Sequence, residues 1–268
     1  MAETHPCCLT VAGSDSGGNA GVQADLRTFH SYGLHGCTVF AALTAQNPHG
    51  VSAVHAVPPD FVAAQLDAVL GVYDIRAMKT GMLAEASVIE AVADRIAARP
   101  EILRVIDPVM VATSGARLIS DDAVGALERR LLPLATLVTP NLPEAAALCG
   151  TDGGDAETLA RGVYDRFGCA VLVKGGHADG DAATDVFFDG HELRSFSLPR
   201  VPNPASTHGT GCTLAAALAA ELALGHGIVQ AIDGAKRHVR AAIAGSYLVG
   251  DACGVLGFVR EGGQGHDH

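Results

Sequence analysis

The fold is decided by residues 206–225, which begin Ser206-Thr207-His208-Gly209-Thr210-Gly211-Cys212-Thr213 and continue as an Ala- and Leu-rich run that stops at Gly225. Two glycines within three residues favour a sharp turn that exposes backbone N–H groups. Ala and Leu are strong helix formers, and a glycine directly after such a run commonly ends a helix. We therefore predict a glycine loop that leads into the N-terminus of a buried helix.

The predicted start of this helix is suited to binding an anion. Free N–H groups and the positive end of the helix dipole converge there, which favours phosphate. A thiol at a helix N-terminus has a lowered pKa and can act as a base or nucleophile, so Cys212 is a candidate catalytic residue. The alternative is a tight turn before a core helix, with Cys212 as a small buried apolar side chain. These residues alone do not decide between the two.

The composition indicates a compact α/β protein. The chain has 268 residues, of which 49% are hydrophobic, and 32 glycines, which suits one large α/β domain or two small ones. Because no repeat, linker or domain boundary is visible, we predict a single domain over 1–268, with 261–268 as a disordered tail.

Charge, cysteine content and hydropathy argue against several classes of protein. The net charge is −11 and no basic run occurs, which disfavours a nucleic-acid-binding surface. Seven widely spaced cysteines without a CxxC pair argue against a disulfide framework or a zinc site. Since we find neither a signal peptide nor an apolar segment of transmembrane length, we expect a cytoplasmic protein with no membrane partner.

Short apolar runs alternate with amphipathic stretches of helical length, which is typical of βα units around a mostly parallel sheet. Two runs at 184–188 and 192–198, joined by Asp189-Gly190-His191, predict an antiparallel pair near a sheet edge. Ser120 is the predicted N-cap of one helix. Strands are further predicted at 8–12, 38–45, 51–57, 75–79, 103–106, 136–139 and 170–173, and helices at 21–32, 59–72, 85–98, 121–132, 156–167 and 229–248. Core candidates on the first two helices are Val22, Leu26, Phe29, Phe61, Leu66, Val69 and Leu70.

Polar or glycine-rich clusters recur where the predicted strands end. The carboxyl edge of an open α/β sheet is where ligands bind, so this regularity predicts an enzyme with its site at that edge. The residues concerned are Asp15, Gln46, Met82, Asp107, Asn141 and Lys174.

The motif Asn141-x-x-Glu144 has two interpretations. It could place a carboxylate near a hydrated Mg²⁺, which keeps several waters and needs only one or two carboxylates plus phosphates. It is also close to a capping box, in which Asn caps a helix and Glu bonds back three residues later. On these residues alone the cap is slightly favoured, and both functions can coexist. A P-loop motif and a GxGxxG after the first strand are absent, so a nucleotide enzyme would use another architecture.

Other polar residues also carry two readings. Asp107 could be a turn residue or a second acidic group near the Mg²⁺ that Glu144 could bind. Lys174 could contact a phosphate or simply be solvated at a strand end. Asp25 lies between apolar helix positions and could simply be solvated. Gln46 could hydrogen-bond a heterocycle edge or belong to a turn, and His208 is expected to be structural because no paired carboxylate is evident.

Eight motifs, taken in order from about residue 8 to 245, closely resemble those of bacterial hydroxymethylpyrimidine/phosphomethylpyrimidine kinases, the thiamine-pathway members of the ribokinase superfamily. They lie at 12–18, 23–26, 42–47, 79–83, 107–110, 139–144, 173–177 and 207–213. The resemblance implies a ribokinase-like three-layer sandwich, with helices on both faces of a mostly parallel central sheet and a small antiparallel edge. It also implies ATP- and Mg²⁺-dependent phosphorylation of 4-amino-5-hydroxymethyl-2-methylpyrimidine, then of its monophosphate to the diphosphate, by a homodimer.

The resemblance further implies a role for each motif residue. Gly209, Thr210 and Gly211 form the anion hole, and Cys212 is the base where most ribokinase relatives carry Asp. The pyrimidine pocket maps onto Gly13, Asp25, Gln46 and Met82. Asn141, Lys174 and Thr210 map onto the nucleotide side, and Glu144 with Asp107 onto the metal.

Two departures from the family pattern are visible: Asn19 within Gly17-Gly18-Asn19-Ala20-Gly21, where Ser-Gly-Gly-Ala-Gly is usual, and Ser206 where Asn is usual. A pyridoxal/pyridoxine kinase of the same subgroup stays open as an alternative. A non-catalytic pyrimidine-binding sensor is the alternative from another functional class.

Overall fold

The structure is a computed structural model that describes residues 5–47, 50–110, 119–176, 180–250 and 253–258. The predicted tail at 261–268 lies outside the described residues. The strands are β1 Cys7–Gly13, β2 His35–Asn47, β3 Gly50–Ala56, β4 Ile75–Thr80, β5 Leu103–Ile106, β6 Leu137–Val138, β7 Ala170–Val173, β8 Ala182–Phe188, β9 Leu193–Pro199, β10 Tyr247–Val249 and β11 Cys253–Val255. The helices are α1 Gly21–Ser31, α2 Pro59–Leu70, α3 Ala86–Ala97, α4 Asp121–Ala126, α5 Leu142–Cys149, α6 Ala156–Phe167, α7 Thr210–Ala223 and α8 Ile228–Ala244.

Nine strands form one sheet in the order β3-β2-β1-β4-β5-β6-β7-β8-β9. The six central strands, β2, β1, β4, β5, β6 and β7 in sheet order, run parallel to one another. At one edge β3 is antiparallel to β2, and at the other edge β8 is antiparallel to both β7 and β9. The predicted hairpin at Asp189-Gly190-His191 therefore exists and closes an edge of the sheet, as expected.

Helices cover both faces of the sheet and form two apolar cores. One core packs α2 to α6 against the sheet, and the other packs α1, α7 and α8 against the opposite face. Within β5, Val105 belongs to one core and Ile106 to the other, because successive strand residues point to opposite faces. This arrangement is the predicted three-layer sandwich, and it explains why the central strands are mostly apolar on both faces.

The central helix α7 is apolar all round and lies in the interior, where each residue from Thr213 to Ala223 is buried. Gly209 precedes it with φ +86°, and Gly225 follows it with φ +90°. The predicted glycine loop, buried helix and terminating glycine are therefore confirmed.

Several predicted boundaries and core positions are wrong. Phe61 is 60% exposed, because α2 turns Val62, Leu66 and Leu70 inward and leaves its neighbouring position in solvent. Leu26 is likewise on the exposed side of α1.

Two helix predictions also fail in extent. The helix expected at 121–132 is α-helical only to Ala126, after the confirmed N-cap Ser120, and continues as a π-helical turn over Leu127–Leu131. The last helix ends at Ala244 rather than 248, because Gly245 packs backbone to backbone with Gly257 and residues 247–249 form β10. Among the described residues, no helix combines the length and apolarity needed to cross a bilayer.

Candidate active site

A cavity of about 620 Å³ opens at the carboxyl ends of the parallel strands, where the N-terminus of α7 also points. All but one of the site residues expected from the sequence line it, although they come from seven different segments. These residues are Gly13, Gln46, Met82, Asp107, Asn141, Glu144, Lys174, Gly209, Thr210, Gly211 and Cys212. The sheet edge therefore assembles the motifs into one place, and the exception is Asp25.

One end of the cavity is built by the ends of β1, β2 and β4. The N–H of Gly13 donates to the carbonyl of Met82 at 3.0 Å, and a Cβ on Gly13 would lie 2.7 Å from the Met82 Cε atom. Gly13 therefore lets the methionine side chain lie directly on the backbone. Gln46 lines the same end, with its Oε1 3.3 Å from the hydroxyl of Thr44. A side-chain amide beside a flexible thioether suits a flat heterocycle with polar edges.

The middle of the cavity carries a buried lysine–aspartate pair. The Nζ of Lys174 donates to Asp107 Oδ1 at 2.7 Å, and Thr139 donates to the same oxygen at 3.2 Å. Burial acts to lower the pKa of Lys174, but the carboxylates of Asp107 and Glu144 outweigh burial and leave that pKa raised. Lys174 is therefore a cation held inside the cavity and is not merely solvated at a strand end.

Glu144 belongs to a complete capping box at the start of α5. Its backbone N–H donates to Asn141 Oδ1 at 2.8 Å, and its own Oε2 accepts from the Asn141 N–H at 2.9 Å. The capping interpretation of this motif is confirmed. Burial raises the pKa of the Glu144 carboxyl, whereas the Lys174 ammonium opposes that shift.

Two carboxylates, of Asp107 and Glu144, are the groups that fit a metal ion here. No cluster of three or more His, Cys, Asp or Glu ligands occurs in the described part of the chain. Mg²⁺ does not need one, because it binds through one or two carboxylates, substrate phosphates and retained waters. Asp107 Oδ2 would lie 4.0 Å from a Cβ on Gly211, so this carboxylate faces the helix terminus where a phosphate would bind. The donor set therefore fits a hydrated Mg²⁺ shared with a phosphate group.

Cys212 is the third residue of α7 and is half-buried at the cavity wall. Burial raises the pKa of its thiol above the ordinary value, although the Lys79 ammonium acts against this shift. The expectation of a lowered pKa is therefore wrong. Desolvation and the carboxylates of Asp25 and Asp107 outweigh the Lys79 cation and the hydrogen bond from the Gly21 backbone N–H.

Asp25 does not line the cavity, contrary to the predicted pyrimidine contact. Its carboxylate is 0% exposed, accepts from Lys79 Nζ at 3.0 Å and accepts from the Thr10 hydroxyl at 2.6 Å. The alternative of a solvated helix residue is wrong for the same reason. Asp25 lies beneath the site and pairs with Lys79, which does line the cavity.

The sequence did not point to a third buried lysine–aspartate pair in the cavity wall. Lys236 Nζ on α8 donates to Asp185 Oδ2 on β8 at 2.6 Å, and Asp185 Oδ1 accepts from the Gly175 N–H at 2.9 Å. Both side chains line the cavity. They are 51 residues apart in the chain, and neither lies in a recognisable motif, so no local signal could have joined them.

This geometry is what phosphoryl transfer requires, because that reaction depends on positioning and charge neutralisation more than on covalent chemistry. A helix terminus for an anion, two carboxylates for a metal and a buried cation all face one cavity. Together with the three-layer architecture, the site defines a small-molecule kinase of the ribokinase-like fold.

Residues 15–257 match the phosphomethylpyrimidine kinase family, and the chain belongs to that family. It is 49% identical over 240 residues to the hydroxymethylpyrimidine/phosphomethylpyrimidine kinase of Rhizobium meliloti, which covers 88% of this chain and 90% of that protein. A bifunctional thiamine biosynthesis protein also matches, and the chain spans 48% of its length.

Two solved structures share the fold closely. The Bacillus subtilis pyridoxal kinase, solved as an ADP complex, superposes with a TM-score of 0.88 at 34% identity, covering 96% of this chain and 98% of that one. The phosphomethylpyrimidine kinase of Clostridium difficile superposes with a TM-score of 0.77 at 34% identity, covering 87% of this chain and 97% of that one.

Proposed function

We propose that this chain transfers a phosphoryl group from ATP to the hydroxymethyl oxygen of 4-amino-5-hydroxymethyl-2-methylpyrimidine, and then to the resulting monophosphate, for thiamine diphosphate biosynthesis. One observation carries the proposal: a single cavity joins the Gly13, Gln46 and Met82 end to the anion-binding start of α7. A heterocyclic alcohol bound at the first end would have its oxygen directed toward a phosphate at the second.

The start of α7 would bind the transferring phosphoryl group. The first N–H groups of a helix have no partner within the helix, and in α7 the Thr213 N–H donates to the Gly209 carbonyl at 2.9 Å. The N–H groups of Thr210, Gly211 and Cys212 are thus available to an anion, in the field of a helix dipole. Lys174 Nζ would lie 3.8 Å from a Cβ on Gly211, so this ammonium is close enough to the helix start to neutralise further phosphate charge.

Cys212 would act as the general base. Its thiolate accepts the hydroxymethyl proton as the alcohol oxygen bonds to the γ-phosphorus and the bond to the ADP oxygen breaks. Because the pKa of the thiol is raised, only a small fraction is thiolate at neutral pH, and Lys79 favours that fraction. Mg²⁺ held by Glu144 and Asp107 would supply charge neutralisation on the phosphates, and Asn141 with Lys174 and Thr210 would line the nucleotide side.

The pyrimidine end must hold the ring alike in both steps, since alcohol and monophosphate share the same heterocycle. The Gln46 amide can both donate to and accept from an aminopyrimidine edge, and Met82 offers an apolar surface to the ring. Asp25 contributes from below, through Lys79 rather than by contact with the ring.

A pyridoxal kinase is the second candidate, favoured by the close superposition on the Bacillus subtilis enzyme. The experiment that separates the two is ADP release by the purified protein with Mg·ATP and either the pyrimidine alcohol or pyridoxal, with the product's phosphorylation state measured. The diphosphate from the pyrimidine alone supports the proposal. Pyridoxal phosphate formed at equal or better efficiency contradicts it.

A Cys212→Ala variant provides the control for chemistry. It should still bind the pyrimidine, yet turn over about 10²- to 10⁴-fold more slowly, which is the usual contribution of a general base. Binding without ADP release by the unmodified protein would instead favour the sensor alternative.

Assembly and location follow from the same resemblance. We propose a homodimer that works in the cytoplasm. The antiparallel strand β3 supports the homodimer, because among the described strands it forms one edge of the sheet and carries the half-exposed Val54. Light scattering coupled to gel filtration would give the mass, and a monomer at micromolar concentration would contradict the homodimer.

A further inference from the structure

The loop between β1 and α1, residues 14–20, touches both ends of the cavity. On one side it is bound to β2: the Ser14 N–H donates to the Ala42 carbonyl at 2.8 Å, and the Thr44 hydroxyl donates to the Ser14 carbonyl at 2.8 Å. The hydroxyl of Ser16 donates to the Gln46 carbonyl at 2.7 Å and accepts from the Gln46 N–H at 2.8 Å. Ser16 therefore fixes the backbone from which the Gln46 side chain reaches the cavity.

On its other side the same loop packs against the start of α7. The carbonyl oxygen of Asn19 approaches Gly209 so closely that a Cβ there would lie 2.0 Å away. Gly209 is the residue before α7 and holds φ +86°. The loop thus contacts the backbone that sets the direction of the first N–H groups of this helix.

Asp15 holds the loop in this shape. Its carboxylate is 2% exposed and accepts three backbone N–H groups: Gly17 on Oδ1 at 2.8 Å, and Asn19 and Ala20 on Oδ2 at 2.9 and 2.8 Å. A carboxylate suits this position because both of its oxygens accept, whereas an amide would direct an NH₂ group at one set of donors.

We propose that Asp15 is a positioning residue for phosphoryl transfer: by closing the 14–20 loop, it fixes the separation between Gln46 at the ring end and the start of α7. The inference rests on the proposed function for its kinetic consequences. Asp15 and Ser16 lie within the family motif at 12–18, and the link to α7 runs through the backbone carbonyl of Asn19, at a position where this chain departs from the usual sequence.

Two variants separate positioning from binding. Ser16→Ala loosens only the Gln46 side, so it should raise the KM for the pyrimidine alcohol about 3- to 10-fold, as expected for lost neutral hydrogen bonds, with kcat and the KM for ATP unchanged. Asp15→Asn loosens both sides and should lower kcat by about 10- to 100-fold, because a misplacement of about 1 Å has effects of that size.

A matched control is Asp155→Asn. Asp155 also accepts a backbone N–H, that of Thr158 at 2.9 Å, but it caps α6 away from the cavity. Its kinetic constants should equal those of the unmodified chain. If kcat and KM of Asp15→Asn lie within about 2-fold of those of the unmodified chain, the proposal is overturned. If Asp15→Asn does not fold, an unchanged KM for the pyrimidine alcohol in Ser16→Ala overturns it instead.

Hydrogen exchange gives a readout that does not depend on any substrate. In Asp15→Asn, amides at 206–212 should exchange faster together with those at 14–20, while Asp155→Asn leaves both segments unchanged. If the unmodified protein releases no ADP, the proposed function fails but this measurement still decides the inference. Faster exchange confined to 14–20 would overturn the coupling of the loop to α7.

Discussion

Replacing Lys79 by methionine should destabilise the protein strongly, because it leaves a buried carboxylate without its cation. Lys79 and Asp25 are both 0% exposed and meet at 3.0 Å, and Asp25 Oδ1 accepts no hydrogen bond from any described residue. Removing one partner of such a pair typically costs about 3–5 kcal/mol. At about 2–4 °C of melting temperature per kcal/mol for a chain of this size, the melting temperature should fall by roughly 6–20 °C.

The cost should also depend on pH, with a definite sign. Burial already raises the pKa of Asp25, and Lys79 is the main group that lowers it. Without Lys79 the folded state binds a proton that the unfolded chain releases above the ordinary Asp pKa of about 3.9. Stability of the variant is therefore greatest below that pKa and is lost as pH rises toward the raised folded pKa.

Urea unfolding followed by far-ultraviolet circular dichroism measures this effect, because the chain has no Trp for a fluorescence signal. The matched control is the double variant Lys79→Met/Asp25→Leu, which removes both charges and should recover most of the lost stability, since apolar replacement of a whole buried pair is often neutral. A single variant that loses less than about 1 kcal/mol, the size typical of exposed pairs, would refute the reasoning. So would a double variant no more stable than the single one.

Four further predictions concern the site itself. Gly209→Ala should unfold at a lower temperature than Gly225→Ala: both pay the left-handed backbone penalty of about 1–2 kcal/mol, but only the first clashes with the neighbouring loop, and equal melts would argue against that contact. Glu144→Gln should melt near the temperature of the unmodified protein, since Gln can also complete a capping box. The Mg²⁺ concentration for half-maximal ADP release should rise about 10-fold, and an unchanged Mg²⁺ requirement would contradict a role of this carboxylate in binding the metal. Gln46→Ala should raise the KM for the pyrimidine about 10-fold with little change in kcat, as lost hydrogen bonds to a ligand do, and a kcat effect alone would contradict its binding role. The kcat of the unmodified protein should rise with pH as the Cys212 thiol, whose pKa is raised, ionises. In Cys212→Asp the rise should lie at lower pH, because the ordinary pKa of Asp is about 3.9 against about 8.5 for Cys and the same burial raises both. An identical profile in both proteins would argue against the base role.

The sequence predicted most of the fold because its signals are local. Alternating apolar runs, the Asp189-Gly190-His191 turn and the caps at Ser120 and Gly225 each depend on residues within a few positions of one another. Parallel strands then bring their carboxyl ends to one edge without further information. For this reason the motif residues lie in one cavity, even though their spacing along the chain does not give the distances between them in the fold.

What the sequence could not predict depends on contacts between distant segments. Asp25 and Lys79 are 54 residues apart, and a carboxylate between apolar helix positions looks like a solvated residue until its partner is known. The exposure of Phe61 also could not be predicted from its neighbours. Val62 and Leu66 show that α2 has an apolar face, but the sequence does not show whether the adjacent Phe61 is covered by the sheet.

The raised pKa of Cys212 shows how the local and the distant effects combine in one group. The helix terminus that favours a thiolate can be read from eight consecutive residues, but the desolvation that disfavours it comes from the packing of α7 into the centre of the molecule. Lys79 lies between these effects: it favours the thiolate, yet Asp25 compensates much of its charge. A thiol that is protonated at rest loses its proton more readily when the site gains positive charge, because a nearby cation lowers its pKa. If Cys212 is the base, the cations that bring ATP phosphates into the cavity would also prepare the thiol, and its alkylation by iodoacetamide should accelerate when Mg²⁺ and ADP are added together but not with ADP alone.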